Sequence, residues 1–208
     1  MLNELIKRYP GLDGIKAYIE KATEEIILCY EKGGKLLLCG NGGSSADCDH
    51  IAGELMKGFL KKRPLEKAKI EEMKKNMPSC DEELLSELQC GLPAISLPSM
   101  TAVNSAFCND VNPKLIYAQG VLALGKKGDI LIAISTSGNS ENVCAAAKVA
   151  KGLGCIVISL TGNDGGKLKA YSDVCICVPE KETFKIQELH LPIYHYICAA
   201  VEAHFYKE

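Results

Sequence analysis

No apolar run in this chain approaches the roughly 20 residues that a membrane-spanning helix requires, so no membrane is an expected partner. Nor does charge of one sign dominate. The 24 Lys and Arg against 26 Asp and Glu leave a formal net charge of −2, too little to draw nucleic acid or an anionic surface to it. The opening residues 1–8 lack the apolar h-region of a signal peptide. The eleven cysteines are odd in number and contain no C-x-x-C, which argues against a disulfide framework and against a thiolate zinc site. Several sit inside apolar segments, where Cys behaves as a small hydrophobe. Reduced, mostly buried thiols in a cytoplasmic protein are therefore expected. The glycine-rich stretches lack the Gly-Lys-Ser/Thr of a P-loop and the spacing of a dinucleotide fingerprint.

What the chain has is a repeated strand–loop–helix unit. Residues 129–134 form an apolar, β-branched run of the kind buried in a parallel sheet. The run stops in Ser135-Thr136-Ser137-Gly138-Asn139-Ser140, and residues 142–150 then follow helical spacing. The hydroxyl-rich loop thus lies where a strand's carboxyl end meets a helix's amino end, the usual ligand position of an open α/β sheet. Free amides and the helix dipole there favour an anion, and hydroxyls add donors without charge. The plainer alternative is that these residues only cap a helix. One Ser suffices for that, and phosphate binding accounts for the excess.

A second loop of the same kind, Gly40-Asn41-Gly42-Gly43-Ser44-Ser45, follows an apolar strand at 35–39 and precedes a helix expected over 46–59. On that helix His50 and Glu54 are four apart and share a face. Alone they could be an ordinary surface pair, but beside a phosphate-suited loop they suggest chemistry. Further strands are expected at 93–97, 155–160 and 174–178, with helices at 1–9, 14–30, 115–124 and 183–206. A loop is expected over 98–104 and, after a short helix, a polar turn over 107–110. The final helix carries Gln187, Glu188, His190 and His195, with Pro192 as a candidate kink. His190 is assigned a structural role. Residues 60–92 carry charge of both signs and two short helical patterns, broken at Pro78, and read as an inserted, solvated helical flap. Five short strands alternating with helices predict one domain over 1–208: a doubly wound parallel α/β sheet with right-handed crossovers.

The motifs Gly40-Asn41-Gly42-Gly43-Ser44, His50-x-x-x-Glu54, Asn109-Asp110, Ser135-Thr136-Ser137-Gly138-Asn139-Ser140, Thr161-Gly162-x-Asp164-Gly165-Gly166 and Ile186-Gln187-Glu188-x-His190, with His195 beyond, occur in one order over nearly the whole chain outside 60–90. Together they resemble the phosphoheptose isomerases of the sugar isomerase (SIS) superfamily. The resemblance implies a flavodoxin-like SIS fold, a homotetramer with shared active sites, and interconversion of sedoheptulose 7-phosphate and D-glycero-D-manno-heptose 7-phosphate. By position, Ser44, Ser135, Thr136, Ser137 and Ser140 match phosphate-binding hydroxyls. Asn41, Gly42, Gly43, Asn109 and Asp110 match sugar contacts, and Glu54 and Gln187 also match substrate-binding positions. His50, Glu54, Gln187 and His195 match the zinc-binding and catalytic set.

The chemistry suits these residue types. Aldose–ketose isomerisation through an enediol needs a base on carbon, an acid on oxygen and something to hold the developing oxyanion. Glu54 is the candidate carbon base and His195 its acid/base partner, while the four N and O donors suit Zn2+. Two departures stand out: the long flap, and Phe184-Lys185 ahead of Ile186-Gln187 where many relatives carry a more polar pair. Rival readings are a non-catalytic SIS-domain protein that grips a partner such as a replication initiator, a sugar-phosphate sensor, and an isomerase of another sugar phosphate.

Overall fold

The computed structural model describes residues 1–79 and 81–206. Cys80, one of the thiols counted above, lies outside the described residues. Leucine- and isoleucine-rich runs form five strands: β1 Leu36–Gly40, β2 Ala94–Ser96, β3 Ile130–Ile134, β4 Ile156–Thr161 and β5 Val174–Cys177. All neighbours are parallel and the order is β2-β1-β3-β4-β5, the flavodoxin-like arrangement. The chain leaves β1 toward β2 on one side and joins β3 on the other, so the strand order reverses between β1 and β3. Every residue of those two strands is buried, as a sheet covered on both faces demands.

The strand period of two divides the core. Leu36, Leu38, Ile130, Ile132 and Ile158 face one layer, built from α1 Leu2–Arg8, α2 Lys16–Glu31, α3 Gly43–Met56 and α9 Thr183–Phe205. Leu37, Cys39, Leu131, Ala133 and Val157 face the other, built from α7 Ile116–Leu124 and α8 Glu141–Gly152. The described cysteines are free thiols, most of them buried. The sheet and its two helical layers match the expected α/β class. Helix α9 passes through Pro192 without ending.

Two expectations fail. The predicted loop at 98–104 and turn at 107–110 are largely one helix, α6 Thr101–Asp110, so Asn109 and Asp110 occupy its last turn. Helix α6 buries no residue, although Val103, Ala106 and Phe107 fall at helical spacing within it. Helix α3 also begins at Gly43, three residues before its expected start, because the tight turn is completed by Gly40-Asn41-Gly42 alone.

The inserted segment forms α4 Lys67–Asn76 and α5 Glu82–Glu87, close to expectation. Its neck is closed: Pro64 bridges Gln89, and Cys90 N–H donates to Arg63 O at 2.7 Å. Arg63 is fully buried there and pairs with Glu202 of α9, Nε to Oε1 at 2.8 Å. Glu202 also accepts the backbone N–H groups of Phe59, Leu60 and Lys61 at 2.7–3.1 Å. Arg63 donates onward to the carbonyls of Leu55 and Glu54 at 2.7 and 3.1 Å, and its guanidinium lies over the Tyr206 ring. Burial pushes the Glu202 carboxyl up, but the Phe59 and Leu60 amides and Arg63 outweigh it and hold it below the ordinary carboxylate value.

Removing one partner of a buried, hydrogen-bonded pair leaves the other charge uncompensated. Glu202→Gln is expected to lower unfolding stability by about 3–5 kcal/mol, read from urea denaturation. Replacing both Arg63 and Glu202 by apolar residues should cost less than the sum of the single changes. Strict additivity would mean that the two charges do not depend on one another.

Candidate active site

The loops that follow β1 and β3 meet at the strand-order reversal. Gly40 is required in the first, because a Cβ there would lie 2.7 Å from the Ser44 carbonyl. Gly42 has φ +56°, a conformation that L side chains rarely adopt. Asn41 is pinned from two helices. Its amide exchanges two 2.9 Å bonds with Asn142 of α8, and Tyr117 of α7 donates to Gly40 O at 2.7 Å with its hydroxyl 3.1 Å from Asn41 Oδ1. Ser44 is buried and Ser45 half-buried beside it.

In the second loop the Ser135 and Ser140 hydroxyls bond each other at 3.0 Å. Ser140 is the N-cap residue of α8, yet its side chain makes no cap bond. Simple capping therefore does not account for that hydroxyl. The Ser137 hydroxyl accepts from Asn139 N–H at 3.1 Å and is exposed, and Thr136 is half-buried. Behind them, Gly138 packs backbone to backbone on Gly165, where a Cβ would lie 2.1 Å from the Gly165 carbonyl. The Thr161–Gly166 motif thus braces the hydroxyl loop.

Helices α3 and α9, far apart in sequence, bring His50, Glu54 and His195 together. His50 Nε2 lies 3.2 Å from Glu54 Oε1 and 3.4 Å from His195 Nε2. Lys57 donates to Glu54 Oε2 at 3.0 Å. Burial, and then His50, lower the His195 pKa from its ordinary value, with Glu54 opposing. Gln187, two turns earlier on α9, lies against the start of α3: a Cβ on Gly43 would sit 2.7 Å from its Nε2. His195 opens onto a cavity of about 410 Å³ whose wall includes Leu5 and Arg8 of α1, and Phe59 and Leu60 at the root of the insertion.

Asn109 and Asp110 are not brought to this cluster. They are exposed at the end of α6 and bond each other at 2.8 Å.

The donors suit zinc in kind. A separation of 3.4 Å between two Nε2 atoms is close to the edge of a tetrahedron with Zn–N of about 2.0–2.1 Å, which is roughly 3.3 Å. Among the described residues, however, no three His, Cys, Asp or Glu side chains converge as a closed metal-holding set. The cluster is open, and Gln187 is a further N and O donor on the same helix as His195.

Sequence reasoning missed the partners that hold these groups. Tyr194 OH stands 3.1 Å from His50 Nδ1 and donates to Asp47 Oδ1 at 3.1 Å, and Tyr117 and Asn142 fix Asn41. Asp47 is one turn before His50 and Tyr194 adjoins His195, but neither position carries a signal of its own.

An open α/β sheet with paired hydroxyl loops at its switch point is the architecture of an SIS domain, and SIS-domain family models match residues 103–201 and 12–82. The likeness extends to one branch. Phosphoheptose isomerase of Roseiflexus sp. (strain RS-1) is 38% identical over 186 residues, covering 89% of this chain and 81% of its own length. That of Clostridium acetobutylicum is 40% identical over 190 residues, covering 91% and 84%. The solved phosphoheptose isomerase from Neisseria gonorrhoeae superposes with a TM-score of 0.76 at 33% identity over 97% of this chain and 94% of that one. The chain belongs to the phosphoheptose isomerase family. Of the readings left open by the sequence, the family takes the isomerase.

His190 lies outside the cluster, fully buried under the sheet, with Nε2 3.3 Å from the Thr161 carbonyl and no partner for Nδ1. Burial pushes its pKa from 6.5 down to about 4, against the Thr161 bond. The unfolded chain therefore takes up this proton first as pH falls. Stability is whole above about pH 6.5 and declines toward pH 4, by about 3 kcal/mol in all. His190→Gln should flatten that window in urea midpoints measured from pH 7 to 4. An unchanged slope would assign the acid sensitivity elsewhere.

Proposed function

We propose that this chain interconverts sedoheptulose 7-phosphate and D-glycero-D-manno-heptose 7-phosphate through an enediol. The observation that carries the reading is the meeting of His50, Glu54 and His195, from two helices, beside two loops suited to a phosphate. The phosphate is held by Ser44, Ser135, Thr136, Ser137 and Ser140 and by free N–H groups opening α3 and α8, where the helix dipoles favour an anion. Asn41, Gly42, Gly43 and Gln187 orient the sugar chain. Binding energy gathered at the phosphate, away from the reacting carbons, is available to fix the reacting geometry.

Glu54 takes the proton from carbon and returns it to the neighbouring carbon. His195 moves the proton between the two oxygens. Its lowered pKa suits this, because a neutral imidazole can accept a proton and then give it back. His50, Glu54, Gln187 and His195 would hold zinc, on the chemistry of their donors and the spacing of the two imidazoles. When bound, zinc supplies a Lewis acid that polarises the sugar oxygens. The protein acts in the cytoplasm as a homotetramer with shared sites. The distance of the exposed Asn109 and Asp110 from this chain's own cluster suits a contribution to a neighbouring copy.

The test is turnover of sedoheptulose 7-phosphate by purified protein, followed by NMR, with added zinc and with a chelator. Chelator-sensitive formation of the aldoheptose phosphate is expected. Binding without conversion in zinc-loaded protein would point to another sugar phosphate. Glu54→Gln should reduce kcat by at least about 100-fold while calorimetry still registers sugar-phosphate binding. Equal turnover would remove Glu54 as the base.

A further inference from the structure

We propose that Cys175 and Cys177 are a dithiol modification site, which hydrogen peroxide closes to a disulfide and a thiol reductant reopens, and that closure disturbs the hydroxyl-rich loop after β3. The disulfide stands on its own geometry. Its effect on an anion rests on the reading of that loop as a phosphate site.

The two thiols belong to β5, the strand at one edge of the sheet, which pairs with β4. The strand period of two sends Val174 and Ile176 into the core and brings Cys175 and Cys177 together on the opposite face. Their sulfurs lie 3.4 Å apart. Both residues are half-buried, unlike the buried Cys39, Cys144 and Cys198, so a small oxidant can reach them. Two residues apart on a strand, the Cα atoms are about 6.6 Å apart, twice a rise of about 3.3 Å. That is just inside the upper limit of about 6.8 Å for a disulfide. The bond therefore closes only with a pull on the end of β5. A disulfide under such strain is readily reduced, which suits a reversible modification rather than a permanent staple.

Burial pushes the Cys175 thiol up, against the Ser159 bond and with Cys177 adding to the rise. Cys177 is then the attacking sulfur. It attacks one oxygen of the peroxide, the O–O bond breaks, and a sulfenic acid and one water form. The Cys175 sulfur attacks that sulfur, the S–O bond breaks, and a second water leaves. The two thiols give up two electrons and two protons, and the peroxide departs as the two waters.

The consequence follows from what Cys177 touches. A Cβ on Gly165 would lie 3.2 Å from its sulfur, and Thr161 Oγ1 lies 3.4 Å from it. Thr161 and Gly165 belong to the motif that braces the hydroxyl loop. Gly162 N–H donates to Thr136 O and Leu168 N–H to Gly138 O, both at 2.9 Å. Drawing the Cys177 sulfur toward Cys175 takes it off these contacts, and the brace shifts with it.

The experiment treats full-length protein with hydrogen peroxide, alkylates free thiols and weighs the tryptic peptide 170–181, in which these two are the only cysteines. The peptide should be unalkylated and lighter by two hydrogens, and should become doubly alkylated after dithiothreitol. Cys175→Ser and Cys177→Ser should each abolish closure and leave phosphate binding by the reduced protein unchanged. On closure the amide resonances of residues 136–138 should shift, and the Kd for inorganic phosphate should rise by at least about 5-fold, in the wild type alone. A peptide that stays doubly alkylated while the exposed Cys108 is oxidised overturns the site. Closure that leaves those amides unmoved overturns the coupling. If the amides shift but the reduced protein binds no phosphate, the dithiol stands and the phosphate reading of the loop falls.

Discussion

Everything at this site hangs from one buried contact between opposite charges. Arg63 and Glu202 are both almost wholly removed from water, which is costly unless every donor and acceptor is used. Here Glu202 accepts four hydrogen bonds and Arg63 donates three. Glu202 gathers three successive amides just after α3, and Arg63 takes the last carbonyls of α3, including that of Glu54. The C-terminal end of the helix carrying the candidate base is thereby tied to the helix carrying His195. Neither side chain touches the reacting groups. They fix the separation of the two helices from which those groups project.

The sheet supplies the other half of the site. Parallel strands deliver their carboxyl ends and the following helix starts to one edge, and the reversal between β1 and β3 leaves a crevice there. The donors suited to an anion are backbone and hydroxyl groups, whereas the candidate proton-moving groups are side chains on α3 and α9. The two tasks thus fall to different kinds of group, with α3 contributing to both. The bracing of Gly138 by Gly165 and of Asn41 by Tyr117 and Asn142 keeps the anion side rigid without lending it charge.

Much of this was legible in the residues. The strands announce themselves because both sheet faces are covered, so their apolar runs are unbroken. The two loops stand out because hydroxyls and glycines cluster where a strand ends. His50 and Glu54 were readable as a pair from their four-residue spacing. Their meeting with His195 was not, since it depends on how α9 crosses α3. Most of helix α6 was misread as loop and turn because its Asn, Ser and Asp residues carry turn signals, although Val103, Ala106 and Phe107 keep helical spacing. Arg63 and Glu202 were invisible for a different reason. A charged residue in a charged stretch looks solvated, and only the fold reveals that this one is sealed. Tyr194 likewise reads as one more apolar position of a core helix until its hydroxyl is seen between Asp47 and His50.

The closed neck of the inserted segment has an evolutionary meaning. Pro64 and Gln89 are bridged, and Cys90 bonds directly to Arg63, so the two ends of the insertion are neighbours. Whatever lies between them is a cassette that can be exchanged, extended or trimmed while the ends stay where they are. The entropic cost of a longer loop grows only logarithmically, by about 0.6 kcal/mol per doubling. Lineages can therefore vary this accessory surface, rooted beside the cavity onto which His195 opens, without reworking the catalytic frame.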